Sequence, residues 1–129
     1  MSNIIFEKTD SSPEVNFSKT GDLFLQGRSM PEDVRIIFDP LIDFVQKLEV
    51  NEVNFKIDLN YFNTATSRKL MDLLQYIDAN NNINIVNVFW HFEEGDEDSL
   101  ETAEIYEDLL LRTNFKYIEY AEAEEELVA

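Results

Sequence analysis

The chain has 129 residues, 44% of them hydrophobic and 12% aromatic, enough for one folded domain with a useful core and too much for a disordered segment. Its 27 acidic and 10 basic side chains give a net charge of -17, a surface that repels nucleic-acid phosphates and anionic lipid heads, so neither nucleic acid nor a membrane is an expected partner. There is no cysteine, which excludes disulfide scaffolds, thiol nucleophiles and cysteine metal sites; with no run fit for a signal peptide or a membrane span, the cytoplasm is the expected compartment.

Residues 12 to 29, "SPEVNFSKTGDLFLQGRS", read as two short strands around Val15–Phe17 and Leu23–Gln26, with turn chemistry at Lys19-Thr20-Gly21-Asp22. Ser29 then stands as the cap of a first helix, with Glu32 and Asp33 in its opening turn. Val34, Ile37, Phe38, Leu41, Val45 and Leu48 form its apolar stripe, and Pro40 either restarts or kinks it. Residues 52 to 60, "EVNFKIDLN", alternate as a strand with one covered face.

A second helix carries Leu70, Leu73, Leu74 and Ile77 as one stripe and ends at "ANNN", 79 to 82. Residues 83 to 92, "INIVNVFWHF", are apolar on both faces, as a central strand would be. The acidic turn "EEGDED" leads into a helix from about Asp98 to Arg112, with Leu100, Ala103, Tyr106 and Leu110 inward. A strand at 115 to 120 closes a domain spanning 1–120, and 121–129 reads as an acidic tail. The order ββαβαβαβ implies an α/β domain with a mixed five-stranded sheet and three helices, arranged most simply in two layers.

Catalytic signatures are missing: no GxSxG, P-loop, GxGxxG or HExxH occurs, and the single histidine, His91, reads as an ordinary strand residue. Neither a cofactor nor a resident metal is expected. The run Glu93, Glu94, Asp96, Glu97, Asp98 offers carboxylate oxygens to a hard cation but lacks the spacing of a calcium loop; it reads first as a solvated turn complementing the next helix dipole. The stretch "YFNTATSRKLMDLL", 61 to 74, places three hydroxyls, Thr64, Thr66 and Ser67, at a helix start. One reading is capping by Asn63 or Thr64. The other is a modifiable hydroxyl, because a helix N-terminus presents free N–H donors to a phosphate and Arg68, one turn past Thr64, can pair with it.

The same residues carry a resemblance. "FNTATSRKLMDLL" resembles the signature of the SiaC family of bacterial regulatory phosphoproteins, in which an Asn-Thr-Ser-Ser-x-Lys stretch opens a helix. "GRSMPED" (27 to 33), "FDPLIDF" (38 to 44) and "WHFEEGDEDSLETAEIYED" (90 to 108) are similar to further family stretches in the same order. Ala65 and Thr66 stand where the family has serines, Arg68 where it has lysine, Met30 where it has an aromatic residue and Phe44 where it has tryptophan. The resemblance implies a STAS-like (anti-anti-sigma-like) fold and a non-enzymatic adaptor. It further implies phosphorylation on Thr64 by a GHKL-type kinase, removal of the phosphate by a PPM-type phosphatase, and binding of the unphosphorylated form to a diguanylate cyclase, which it activates to raise cyclic di-GMP. Thr66 and Ser67 are secondary acceptor candidates, and Tyr61, Phe62, Asn63 and Arg68 are the expected partner surface. Two other functions remain in view: an anti-sigma antagonist sharing the same fold, and a small metal-binding protein or enzyme using the 93–98 turn.

Overall fold

The computed structural model describes residues 1–121; residues 122–129, which hold all but the first position of the expected acidic tail, lie outside the described residues. Six strands and three helices alternate as β1 (Ile4–Phe6), β2 (Glu14–Phe17), β3 (Asp22–Ser29), α1 (Val34–Lys47), β4 (Val50–Phe62), α2 (Thr64–Ala79), β5 (Ile83–Glu93), α3 (Glu97–Leu109) and β6 (Asn114–Tyr120). The strands lie in one sheet in chain order, β1-β2-β3-β4-β5-β6. The first two pairings are antiparallel, and the three that enclose a helix are parallel.

The expected α/β architecture is therefore present with one more strand than the five read from the sequence. Residues Ile4–Phe6 form an edge strand whose partners, Phe17 to Val15, lie beyond a polar loop. Such a short segment has no periodicity of its own; pairing defines it. Three other expectations shift. Ser29 ends β3, and Asp33 caps α1 by accepting from the Arg35 N–H at 3.0 Å, so no acidic side chain occupies that helix's first turn. Pro40 sits inside one continuous helix. The third helix stops at Leu109, leaving Arg112 in the connection to β6.

Burial alternates along the central strands. Val53, Phe55, Ile57 and Leu59 of β4 are buried together with Val86, Val88 and Trp90 of β5. Phe38, Leu41, Phe44 and Val45 of α1, Leu70, Leu73, Leu74 and Ile77 of α2, and Ala103 and Tyr106 of α3 join the same apolar cluster. One cluster shared by all three helices means that they cover one face of the sheet, giving two layers. The strand at 83–93 is central, but the described residues cover only one of its faces: Phe89 and His91 point to the other side and are half-buried. Parallel crossovers place the start of each helix beside the carboxyl ends of the strands, where α/β sheets gather their functional groups.

Candidate functional site

Strand β4 runs on past the expected residue 60 to Phe62, and α2 begins two residues later. Asn63, in extended conformation between them, is the cap: its side-chain oxygen accepts the Thr66 N–H at 2.9 Å. That leaves the amides of Thr64 and Ala65 without an acceptor among the described residues. Unbonded first-turn amides together with the helix dipole make a mildly positive, donor-rich end.

The three hydroxyls of this turn have different surroundings. Thr66 is fully buried; its Oγ1 donates to the Ser29 carbonyl at 2.9 Å and lies 2.8 Å from the Ser29 hydroxyl. The end of β3 thus grips the first turn of α2, reinforced by the Asn63 N–H donating to the Ser29 carbonyl at 3.2 Å. Ser67 is half-buried, with its hydroxyl 2.9 Å from the Tyr106 hydroxyl of α3, which also donates to the Ser67 carbonyl at 2.8 Å. Burial pushes the Tyr106 phenol up to about 12, partly offset by its bond with Ser67, so it stays a neutral donor across the ordinary pH range. Thr64 is exposed and its hydroxyl makes no hydrogen bond among the described residues. Phosphate on Thr66 or Ser67 would first require these internal bonds to break.

A cleft of about 710 Å3 opens at this point. One wall is Asn60 to Thr64 with Ser67; the other is Glu93 to Asp96 with Asp98, Ser99 and Thr102. The acidic turn is itself well built. Gly95 adopts φ 88° in a turn closed by the Asp96 N–H donating to the Glu93 carbonyl at 3.0 Å, a conformation that favours glycine. The Glu94 N–H donates to the Tyr120 carbonyl at 2.8 Å, and Asp96 caps α3 by accepting from the Ser99 N–H at 3.1 Å. The Trp90 indole donates to the Ser99 hydroxyl at 3.0 Å. Asp96 thus has a capping role, and no three of the His, Asp or Glu side chains among the described residues converge as metal ligands.

The expected partner residues do not share one setting. Tyr61 is 59% exposed, with the Arg28 guanidinium over its ring at 5.1 Å from the centroid. Arg68 is exposed and free of ion pairs among the described residues, whereas its neighbour Lys69 is held by Asp39 of α1 at 2.7 Å. Phe62 is half-buried against the core and Asn63 is committed to its cap, so Tyr61 and Arg68 are the more accessible pair. His91 lies outside the cleft, on the open sheet face; burial and the nearby Lys56 hold its pKa below the usual value, against the pull of Asp58. Sequence reasoning missed Ser29 and Tyr106 as partners of the helix-start hydroxyls, and it treated the 93–98 acids as a separate feature when Glu93, Glu94, Asp96 and Asp98 line the opposite wall. Tyr106 was visible as an inward residue; nothing in the local sequence named what it would touch.

This arrangement can accept an anion at the α2 N-terminus and present a polar, acid-walled groove to another protein. A family model for SiaC family regulatory phosphoproteins matches residues 6–120. An uncharacterized protein of Pseudomonas aeruginosa strain UCBPP-PA14 is 29% identical over 113 residues, covering 84% of this chain and 90% of that protein. Among solved structures, SiaC of Pseudomonas aeruginosa is 25% identical with a TM-score of 0.75, covering 95% of this chain and 100% of that one. The crystal structure of diguanylate cyclase SiaD in complex with its activator SiaC, also from Pseudomonas aeruginosa, contains a chain that matches with TM-score 0.75 at 23% identity, over 91% of this chain and 99% of that one.

Proposed function

The chain belongs to the SiaC family of regulatory phosphoproteins, and from that membership we propose that it is a cytoplasmic, non-catalytic phospho-switch adaptor with Thr64 as its acceptor. The observation that carries the reading is the exposed Thr64 hydroxyl, unbonded among the described residues, at a helix start with two unbonded amides. A phosphate there brings about -1.5 to -2 charges and finds donors at Thr64, Ala65 and Arg68 without any need to unfold the helix. A GHKL-type kinase would add the group and a PPM-type phosphatase remove it.

In the solved complex, SiaC is the activator of a diguanylate cyclase; the same class of partner is proposed for this chain in its unphosphorylated form. Tyr61, Asn63 and Arg68, with the edge of Phe62, would lie under that partner. Placing a dianion in a desolvated contact costs several kcal/mol unless it is paired, enough to end a micromolar complex. The four carboxylates across the cleft add to that cost, since they hold the local potential negative.

Phosphopeptide mapping of protein taken from its native cells tests the assignment. Trypsin releases Ile57 to Arg68, "IDLNYFNTATSR", and fragmentation separates Thr64 from Thr66, Ser67 and Tyr61. Phosphate on Thr64 is expected. With purified cyclase, Thr64→Ala should keep binding and escape switching, while Thr64→Glu should weaken binding. Phosphate confined to Thr66 or Ser67, or loss of binding by the alanine variant, would overturn the assignment.

A further inference from the structure

The cleft opens where two neighbouring strands part. Strands β4 and β5 are paired as far as Ile57 and Trp90. Past that point β4 stays with β3 up to the pair Ser29 and Phe62, while β5 stays with β6 up to Glu93 and Tyr120. The Thr64 wall therefore lies on one side of a divide in the sheet and the acidic wall on the other, with no strand pairing between those stretches among the described residues. At that end of the sheet, the side-chain hydrogen bonds that cross the divide among the described residues all involve two tyrosine hydroxyls. On the helix side, the Tyr106 hydroxyl donates to the Ser67 carbonyl at 2.8 Å, which leaves the Ser67 hydroxyl to donate to the phenolic oxygen at 2.9 Å. On the other side, the Tyr120 hydroxyl donates at 2.9 Å to Asp58, which alternates along β4 with buried Ile57 and Leu59.

Each tyrosine is also joined to the acidic wall. The Tyr106 ring packs edge-on against Trp90 at 5.9 Å, the Trp90 indole donates to the Ser99 hydroxyl at 3.0 Å, and the Ser99 N–H donates to Asp96 at 3.1 Å. The Tyr120 carbonyl accepts the Glu94 N–H at 2.8 Å. Burial, and for Tyr120 the bond with Asp58 as well, pushes both phenols up, so both keep the proton they donate. None of Glu93, Glu94, Asp96 and Asp98 on that wall is in an ion pair among the described residues. We propose that Tyr106 and Tyr120 are positioning residues of the switch: they hold the acidic wall at a fixed separation from Thr64, so that a phosphate added there meets the carboxylates instead of driving them away. This role rests on Thr64 being the acceptor and adds how its phosphate is made to count. Like charges that can move apart relieve their repulsion by opening the cleft. Held by a tie on each side of the sheet, they cannot, and the repulsion stays in the site. Each tyrosine acts through the wall it holds rather than on the phosphate.

The test places phosphothreonine at position 64 of the full-length protein by genetic encoding and follows its second ionisation by 31P NMR at low salt, with neither kinase nor partner present. Carboxylates held nearby keep that ionisation high. Tyr106→Phe/Tyr120→Phe keeps both rings and removes both hydroxyls, so the pKa of the phosphate should fall by about 0.5. Each single variant should give a smaller fall in the same direction, and the singles decide if the double variant does not fold. The fall should vanish once the wall is neutralised by Glu93→Gln/Glu94→Gln/Asp98→Asn, with Asp96 left in place as the cap of α3. A purely structural role for the tyrosines would leave the fall as large with the acids gone. The proposal is overturned by an unchanged or raised phosphate pKa in the tyrosine variants, or by a fall of the same size on the neutralised wall. Because the phosphate is installed rather than acquired, such a result counts against the tyrosines and not against Thr64 as the acceptor.

Discussion

At the C-terminal end of α2, Asp78 accepts four hydrogen bonds from the segment that leads into β6: from the amides of Leu111 at 3.1 Å, Arg112 at 3.0 Å and Thr113 at 3.0 Å, and from the Thr113 hydroxyl at 2.7 Å. Arg112 returns the grip, donating to the carbonyls of Asp78 at 2.6 Å, Ile83 at 2.6 Å and Asn80 at 2.7 Å. Asn80 ties in the end of α1 through the carbonyls of Val45 at 2.8 Å and Leu48 at 2.9 Å. At the N-terminal end of the same helix, two amides and the Thr64 hydroxyl are left without partners among the described residues. One end uses its polar groups to join elements; the other holds its backbone through buried Thr66 and leaves reactive groups at the surface. On the proposed reading, the phosphate is added at the end without ties while the other end holds the helix in place.

The largest effect should come from cutting the C-terminal clasp. Asp78→Ala leaves three amides and a hydroxyl without their charged acceptor, and hydrogen bonds to charged groups contribute about 1.5–3 kcal/mol each without being additive, so a net loss of about 3 kcal/mol is expected by urea denaturation. The folded fraction should still be phosphorylated at the wild-type rate. A loss under about 1 kcal/mol would show that the clasp is not what anchors this end.

Acid gives the same comparison in another form. Burial raises the Asp78 pKa, but the Thr113 hydroxyl and the amides of Arg112, Leu111 and Thr113 outweigh it and hold the carboxyl below its ordinary 3.8. Because the folded value is depressed, this stability is present in full above the unfolded value and is lost as pH falls through the folded one. Asp78→Asn should therefore flatten the decline of stability below about pH 4 and leave the dependence near neutrality unchanged.

An intermediate effect belongs to the gripped part of the N-terminal turn. Thr66→Ala removes a buried donor and strips the Ser29 hydroxyl of its 2.8 Å partner, which costs about 1–2 kcal/mol. Thr66→Ser should recover most of it. If serine fails where threonine succeeds, the methyl group rather than the hydroxyl is what holds the turn.

How much of this contrast was legible in the sequence depends on how far each partner lies along the chain. The apolar stripe of α2 and the alternation of β4 were readable because their periods are local, and Asn63 was among the caps considered. Strand β1 was not, because an edge strand of three residues exists only through Phe17 to Val15. Ser29 looked like a cap from its neighbours, yet its partner Thr66 lies 37 positions away. Three hydroxyls at the mouth of α2 were visible as candidates. That one is buried against β3 and another faces Tyr106, 39 positions away, is tertiary information. The clasp was hidden for the same reason: Arg112 reads as the last turn of a helix, and only the early stop of α3 at Leu109 frees it.

The smallest effect should fall on the proposed phosphoacceptor. Thr64→Ala removes an exposed hydroxyl with no partner among the described residues, and Asn63, not Thr64, caps the helix. Surface changes of this kind shift stability by less than about 0.5 kcal/mol, and alanine's better helix propensity offsets part of even that. Thermal unfolding of wild type and Thr64→Ala should therefore superimpose, while their responses to the kinase differ completely. A Thr64→Ala variant destabilised as much as Thr66→Ala would mean that the first hydroxyl also holds the turn, and the division between a tied end and a free end would fail at its most exposed residue.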